Sequence, residues 1–327
     1  MRSNKTNRWI IGIDGGGTKT RGAICDQTGQ VAAVVSGEGA NVLSRPWSDV
    51  ERTLRQLIDE LLRCAKASRE EVAALYLGLA GADRPATEKM IAQAFAGEWQ
   101  ERLHIDNDAV AALYAGTWGR PGIVLIAGTG SIAYGINGKK ERFRVGGWGY
   151  LLGDEGSGFD LGRQAAAAVL RAFDGRAEQT ALTQLLLSQY EVQTPAELIS
   201  ILYGSDNPRK ELAALSSLVE TAARAGDATA KQLIRRAAED LAQLVIACQH
   251  KMGEKLPVVL AGGLLTADTL LRREMLQNAL FDARQPAVPP VIGALVAGLE
   301  KAGAVPDENM IHQLQTTEAW KGSYVHE

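Results

Sequence analysis

The start of the chain alternates short apolar segments with polar and glycine-rich turns, a pattern that predicts β-strands. Three such segments predict a meander of strands at residues 9–14, 20–26 and 30–37. Apolar residues at helical spacing then predict a helix at 49–66, with Ser48 and Glu51 forming a capping box at its start. An uninterrupted apolar run at 72–79 predicts a buried parallel strand. A helix at 87–95, a strand at 102–106 and a helix at 109–115 are predicted to follow.

The same pattern begins again in the second part of the chain. Segments 123–127, 132–136 and 142–146 predict a second meander, and Asn137-Gly138 is a strong hairpin signal between its last two strands. The remaining predicted elements include helices at 159–173 and 227–252, a helix that begins at Pro195, a strand at 257–261, and helices at 267–279 and 291–301. From Gly303 the sequence has no clear period, which predicts either a surface tail or a short docked helix.

This repeated order of meander, helix and strand predicts an α/β fold with two domains and a cleft between them. A chain of 327 residues also exceeds what one hydrophobic core usually serves. Glycine and proline cluster at 116–122, so the hinge between the domains is predicted there.

Composition narrows the range of functions. The formal charge is −3, from 38 acidic and 35 basic residues without basic blocks, so neither nucleic-acid nor membrane binding is predicted. Cys25, Cys64 and Cys248 lie far apart, which is typical of a reducing cytoplasm and argues against a disulfide framework or a zinc site. No apolar stretch is long enough to span a bilayer.

Two glycine-rich turns between apolar segments carry the main chemical signal. The first comprises Gly15, Gly16, Gly17, Thr18 and Lys19, and the second comprises Gly128, Thr129, Gly130 and Ser131. Glycine lets backbone N–H groups approach an anion, and the hydroxyls add donors, so the pair predicts binding of a nucleotide's phosphates. The first turn opens a hairpin rather than a helix, so it is not a P-loop. Plain hairpin turns are the alternative, and a local ion pair is the alternative for Lys19.

Carboxylates at the ends of predicted strands are the candidate catalytic and metal-binding groups. Asp14 ends the first strand and is a candidate Mg²⁺ ligand, through water because Mg²⁺ keeps much of its hydration shell. Asp108 lies at a strand-to-helix junction and is a candidate general base for an acceptor hydroxyl, with a helix N-cap as the alternative. Asp154 and Glu155 lie in a glycine-rich segment at 146–158. Carboxylates there could accept hydrogen bonds from sugar hydroxyls, and a solvated loop is the alternative.

Two weaker candidates complete the set. Asn41 could bind a substrate amide or hydroxyl, and Gly262-Gly263 could let adenine or ribose approach the backbone. Each is also an ordinary turn feature.

In these motifs the chain resembles the N-acetylglucosamine kinase group of the BadF/BadG/BcrA/BcrD ATPases, within the sugar kinase–Hsp70–actin superfamily. The resemblance runs from about Trp9 to Lys301. It rests on the motifs IDGGGTKT (13–20), LGLAGAD (77–83), NDA (107–109), AGTGS (127–131), GGWG (146–149), LGDEGS (152–157) and LAGG (260–263).

The resemblance implies two ribonuclease-H-like, actin-like ATPase domains: residues 1–118 joined by a C-terminal helix at 290–302, and residues 119–289, with a tail at 303–327. It implies ATP and Mg²⁺ as cofactors, with Asp14 at the metal, residues 128–131 as the second phosphate loop and Gly262-Gly263 at the adenosine. Asp108 would be the base acting on the sugar's 6-hydroxyl. The residues that would bind the sugar are Asn41, Gly147, Trp148 and Asp154. A homodimer is also implied.

The sequence therefore predicts an ATP-dependent kinase for the 6-hydroxyl of N-acetylglucosamine, with N-acetylmuramic acid as a further candidate substrate. Glucosamine and glucose stay open as alternatives. An ATPase switch acting on a partner protein is a rival from another class, disfavoured because the cysteines do not suit a subunit-bridging iron–sulfur cluster. A catalytically silent sugar sensor is a third reading, and the intact Asp14 and Asp108 argue against it.

Overall fold

The chain forms two five-stranded β-sheets, each with helices packed against it. The structure is a computed structural model that describes residues 9–277 and 279–317. Of these, residues 9–120 and 286–317 make up a first unit, and residues 121–277 with 279–285 make up a second. Both sheets mix parallel and antiparallel strands, and the predicted α/β class is confirmed.

The first unit contains the first predicted meander and the buried parallel strand. Its strands are β1 (Trp9–Gly15), β2 (Lys19–Asp26), β3 (Val31–Glu38), β4 (Val72–Leu79) and β5 (Leu103–Asp106), in the sheet order β3-β2-β1-β4-β5. Its first three helices are α1 (Trp47–Ala65), α2 (Pro85–Trp99) and α3 (Asp108–Thr117). β1 pairs antiparallel with β2 and parallel with β4, so the ends of β1, β4 and β5 meet at one edge of the sheet.

The second unit repeats this strand arrangement. Its strands are β6 (Gly122–Ala127), β7 (Ser131–Ile136), β8 (Arg142–Gly146), β9 (Val258–Ala261) and β10 (Ala283–Arg284), in the order β10-β9-β6-β7-β8. Its helices are α4 (Gly158–Phe173), α5 (Leu182–Tyr190), α6 (Glu197–Gly204), α7 (Pro208–Ala214), α8 (Ser216–Arg224), α9 (Ala228–Met252), α10 (Gly263–Thr266) and α11 (Leu270–Gln277). β6, β7 and β8 form an antiparallel meander, and β9 lies parallel to β6 as β4 lies parallel to β1. The predicted duplication of topology is therefore present.

Two further helices, α12 (Pro290–Lys301) and α13 (Glu308–Thr316), pack on the first unit. A Cβ on Gly12 of β1 would lie 2.5 Å from the backbone nitrogen of Leu295 in α12, and a Cβ on Gly293 would lie 1.9 Å from the carbonyl oxygen of Ala111 in α3. Only glycine allows backbones to approach this closely. A Cβ on Gly29 would lie 2.6 Å from Cγ of Met310, so α13 is the docked helix that the sequence gave as one alternative after Gly303. Residues 318–327 of the predicted tail lie outside the described residues.

Burial of amphipathic helix faces supplies the packing in each unit. In α1 the buried residues recur at helical spacing: Val50, Leu54, Leu57, Ile58, Leu61 and Leu62. Removing a side chain of this size from water contributes about 1.5–3 kcal/mol. Of the described helices, none is both long and apolar enough to cross a bilayer.

Two local predictions about helix starts are wrong. α1 begins at Trp47, so Ser48 lies inside the helix, and the N-cap Pro46 makes no side-chain cap bond. Proline fixes the backbone angle at the helix entrance, and the Pro46 carbonyl accepts from the Asp49 N–H at 3.1 Å, which replaces the predicted capping box. The helix predicted at 267–279 is shorter and begins at Leu270, as α11. Thr269, the residue before it, accepts a hydrogen bond from the Arg272 N–H at 3.0 Å.

Candidate active site

Three aspartates lie at or just after the carboxyl edge of the first sheet. In the strand register Asp14 of β1 stands beside Gly78 of β4, and Gly78 stands beside Asp106 of β5. Asp108 follows β5 by two residues as the first residue of α3. Gly78 has no side chain, so no β4 side chain stands between the register positions of Asp14 and Asp106. The carboxyl end of parallel strands is where open α/β sheets bind ligands.

The cap of α3 decides between the two alternatives for Asp108. Asn107 is the N-cap, and its Oδ1 accepts from the Ala109 N–H at 2.9 Å. The N-cap alternative for Asp108 is therefore wrong. Asp108 is instead the first residue of the helix, and the residue as a whole is half-buried.

Burial and neighbouring charges raise the pKa values of the Asp14 and Asp108 carboxyls towards neutral pH. Burial and the negative charge of Asp108 raise the pKa of Asp14 to about 7, while Arg21, its cross-strand partner on β2, opposes the shift. Burial raises the pKa of Asp108 to about 6; the Ala109 N–H lowers it and the charge of Asp83 adds to the rise. A carboxyl with a pKa in this range exchanges a proton readily at physiological pH.

The first glycine turn offers donors to an anion. The turn is closed by the Gly16 N–H, which donates to the Lys19 carbonyl at 3.2 Å, and the Ala40 N–H donates to the Gly16 carbonyl at 3.0 Å. Among the described residues, the N–H groups of Gly17 and Thr18 have no hydrogen-bond acceptor. Both residues are exposed, so these N–H groups are accessible.

Asn41 lies next to this turn, and Lys19 is the turn's last residue. The Asn41 amide nitrogen lies 4.0 Å from the position that a Gly17 Cβ would occupy, while its Oδ1 accepts from the Leu43 N–H at 2.9 Å. The structure thus brings the Asn41 amide donor to the first glycine turn. Lys19 is exposed and is in register with Glu38 on β3, and Glu38 forms an ion pair with Arg45.

The second glycine turn is supported by the start of α4. The N–H groups of Gly158 and Phe159 donate to the carbonyls of Gly128 and Thr129, at 2.8 Å and 3.4 Å. The turn therefore uses its carbonyls for support, and the Thr129 and Gly130 N–H groups donate to no other residue in the described part of the chain. Two N–H groups of this turn are available to an anion, as in the first turn.

Ser131 is engaged within the protein. Its N–H donates to Asp154 Oδ1 at 3.3 Å and its hydroxyl donates to the Glu155 carbonyl at 2.7 Å. Asp154 is 3% exposed and has a φ of +64°, a conformation that non-glycine residues rarely adopt. Arg209 of α7 donates from Nη2 to Asp154 Oδ2 at 3.1 Å. Asp154 thus links the second glycine turn to α7.

The other predicted residues of the second unit flank the same turn. A Cβ on Gly262 would lie 2.3 Å from the Ala127 carbonyl oxygen, so Gly262 lies against the residue before the second turn. Gly263 begins α10, and a Cβ there would meet open space. A Cβ on Gly147 would lie 2.8 Å from Ile132 Cδ1, next to that turn's last residue. Trp148 is 63% exposed, with the Arg144 guanidinium carbon 5.0 Å from its ring centre.

Sequence reasoning missed three charged residues at these positions. Arg21 follows the first turn by only two residues, and Asp83 ends the LGLAGAD motif, so the pattern contained a signal for both. Arg209 gave none, because it lies in a short helix 55 residues after Asp154 and belongs to no motif.

Comparison with known proteins finds a matching family and similar sugar kinases. Residues 11–298 match the model of the BadF/BadG/BcrA/BcrD ATPase family. The chain is 36% identical over 262 residues to the N-acetylmuramic acid/N-acetylglucosamine kinase of Clostridium acetobutylicum, covering 79% of this chain and 86% of that protein. It is 33% identical over 289 residues to the N-acetyl-D-glucosamine kinase of Dictyostelium discoideum, covering 82% and 90%.

A solved structure is also similar to this chain. A candidate N-acetylglucosamine kinase from Chromobacterium violaceum superposes with a TM-score of 0.71 at 29% identity, covering 90% of this chain and 99% of that one. The fold is that of the actin-like ATPases. Because residues 11–298 match the family's model, the chain belongs to the BadF/BadG/BcrA/BcrD ATPase family.

Proposed function

We propose that this protein is an ATP-dependent amino-sugar kinase that phosphorylates the 6-hydroxyl of N-acetylglucosamine, with N-acetylmuramic acid as a further substrate. The observation that carries this proposal is Asp108: a carboxyl with a pKa raised to about 6, uncommitted to capping, at the carboxyl edge of the sheet beside a glycine turn. The relatives in Clostridium acetobutylicum and Dictyostelium discoideum, named as kinases of these sugars, support the choice of substrate.

The phosphates of ATP would be held mainly by backbone donors. Gly17, Thr18, Thr129 and Gly130 have N–H groups without an acceptor among the described residues. Ser131 would contribute indirectly, since both its donors are used inside the protein. Gly262 and Gly263 would let the adenosine approach the backbone, as glycine permits.

Asp14 is the candidate residue for Mg²⁺. No three His, Cys, Asp or Glu side chains group as direct ligands in the part of the chain that the structure describes. One carboxylate with water completing the coordination fits Mg²⁺, which dehydrates reluctantly. When bound there, the ion would neutralise phosphate charge. An ion at Asp14 would also oppose the desolvation and the Asp108 charge that raise its pKa.

Asp108 would act as the general base. As the 6-hydroxyl oxygen attacks the γ-phosphorus and the bond to the β-phosphate oxygen breaks, the hydroxyl proton passes to the Asp108 carboxylate and ADP leaves. Catalysis of this kind is mainly positioning and stabilisation of charge. Asn41 and Asp154, with the Gly147-Trp148 segment, would hold the sugar hydroxyls and amide.

The rival function is an ATPase switch that acts on a partner protein. The described cysteines argue against the iron–sulfur type, since Cys25 and Cys248 are buried and Cys64 is exposed on α1. Glucosamine and glucose are the rival substrates. We also propose a homodimer, on the family resemblance, and sedimentation velocity tests it.

The test is ADP release from Mg·ATP with N-acetylglucosamine, N-acetylmuramic acid, glucosamine, glucose or no sugar. Strong stimulation by one or two amino sugars supports the kinase, and NMR of the product identifies the phosphorylated carbon. Hydrolysis that is equal in every reaction supports the switch. A product phosphorylated at carbon 1 would contradict the 6-hydroxyl assignment.

A further inference from the structure

Arg209 lies beside the second glycine turn without belonging to any motif. It is the second residue of α7, its side chain is 31% exposed, and its Nη2 contacts the buried Asp154 carboxylate. A Cβ on Gly130 would lie 2.9 Å from both Arg209 Nη2 and Asp154 Oδ2, so the ion pair lies directly against the turn.

The backbone that carries Arg209 is held firmly. Asn207 caps α7 by accepting from the Lys210 N–H at 3.1 Å. A Cβ on Gly162 of α4 would lie 1.7 Å from the Leu212 carbonyl oxygen, and one on Gly158 would lie 3.3 Å from that of Ala213. α7 therefore packs on the same helix start that supports the second glycine turn, which places the backbone of Arg209 next to that turn.

The guanidinium has a second contact. Its carbon lies 5.7 Å from the ring centre of Tyr150, which in turn packs edge-on against Phe159 at 5.2 Å. Its Nε is buried and has no hydrogen-bond partner among the described residues. The guanidinium thus contacts both the Asp154 carboxylate and the Tyr150 ring.

The charges facing Asp154 come from two residues. Burial raises the pKa of Asp154, the Ser131 N–H and Arg209 lower it, and the adjacent Glu155 adds to the rise. Arg209 is the single cation among these causes. A buried carboxylate that loses its cationic partner is protonated more easily and loses its orientation.

We propose that Arg209 is a positioning residue: it keeps the Asp154 carboxylate ionised and oriented, so that one carboxylate both holds the Ser131 end of the second glycine turn and accepts the sugar hydroxyls. This inference rests on the proposed function, because it assumes that Asp154 contacts the sugar. If the proposal holds, the geometry of the second glycine turn depends on the same Asp154 carboxylate that contacts the sugar.

The test compares Arg209→Gln and Arg209→Lys with the wild type and with Arg163→Gln. Arg163 is the matched control: it pairs with Asp160 at 2.8 Å in the same unit and does not contact Asp154. We expect Arg209→Gln to lower kcat/KM for the sugar about 10- to 100-fold, mainly through KM, and to move the acidic limb of its pH profile to higher pH. Arg209→Lys keeps the charge but loses the guanidinium geometry, so it should restore the pH profile more fully than KM.

A second readout is independent of sugar turnover. Carboxyl-carbon NMR of ¹³C-aspartate-labelled protein, with the Asp154 signal assigned by Asp154→Asn, should show its pKa about one unit or more higher in Arg209→Gln than in wild type. An unchanged Asp154 titration overturns the inference, as does an Arg209→Gln enzyme that matches Arg163→Gln in KM and pH profile. A wild type without sugar-stimulated ADP release refutes the proposed function instead, and the NMR titration still decides whether Arg209 holds Asp154 ionised.

Discussion

The negative charge of Asp108 raises the pKa of Asp14, although the two residues lie 94 positions apart in the sequence. The parallel pairing of β1, β4 and β5 brings them to one edge of the first sheet, where burial makes the interaction strong. A buried carboxyl next to another negative charge favours binding of a cation or a proton, and Asp14 is such a carboxyl. The first three predictions concern these two carboxyls.

Replacing Asp108 by asparagine removes the proposed base while keeping the shape of the side chain. We expect kcat to fall roughly 10²–10⁴-fold, because proton transfer by a positioned side chain contributes about that much, with sugar binding changed far less. ADP release and calorimetric sugar titration measure the two effects. Asp59→Asn, an exposed aspartate on α1, serves as the control and should leave both unchanged. Near-normal turnover of Asp108→Asn would refute the base assignment.

The raised pKa of Asp108 predicts a pH dependence. The base must be ionised, so kcat/KM for the sugar at saturating Mg·ATP should fall as the pH drops through about 6. The charge of Asp83 helps to raise this pKa, so Asp83→Asn should move the acidic limb to lower pH. Glu88→Gln, in the first turn of α2, is the control, and no movement of the limb in Asp83→Asn would show that another group sets it.

Asp14→Asn is expected to weaken the use of Mg·ATP. The amide keeps the size of the side chain but loses the charge that would hold the hydrated ion. The Mg²⁺ concentration for half-maximal turnover should therefore rise, while sugar affinity is retained. Titration of turnover with Mg²⁺ and with Mn²⁺ measures it. An unchanged metal dependence would exclude Asp14 from the metal site.

Gly293 tests the packing of α12 on α3. A Cβ there would lie 1.9 Å from the Ala111 carbonyl oxygen, so Gly293→Ala must push the helices apart and should cost about 3 kcal/mol of unfolding free energy. Gly97 in α2 has nothing within 4 Å of its Cβ position, so Gly97→Ala should be neutral or stabilise by up to about 1 kcal/mol. Urea unfolding compares the two, and equal stabilities would contradict the close packing.

Local pattern was enough for most elements and for the chemistry of the turns. The strand at 72–79 has the predicted bounds because its unbroken apolar run can only be buried on both faces. The hairpins at the two glycine turns, and the position of Asp14 at a strand end, could be predicted because hairpin turns and strand ends are encoded within a few neighbouring residues. The capping box predicted at Ser48 is absent because the helix begins two residues earlier than predicted, directly after Pro46.

By itself, the sequence determined the two α/β meanders, the donor-rich turns and the carboxylates at strand ends, since these follow from hydrophobic periodicity and local turn geometry. Only the tertiary structure decided that Asn107 rather than Asp108 caps α3, that the Asp108 charge reaches Asp14, and that Arg209 pairs with Asp154. The last two relationships join residues far apart in the chain, whereas the Asn107 cap is local. Their strength comes from burial, which appears only when sheet pairing and helix packing exclude water from around the charges.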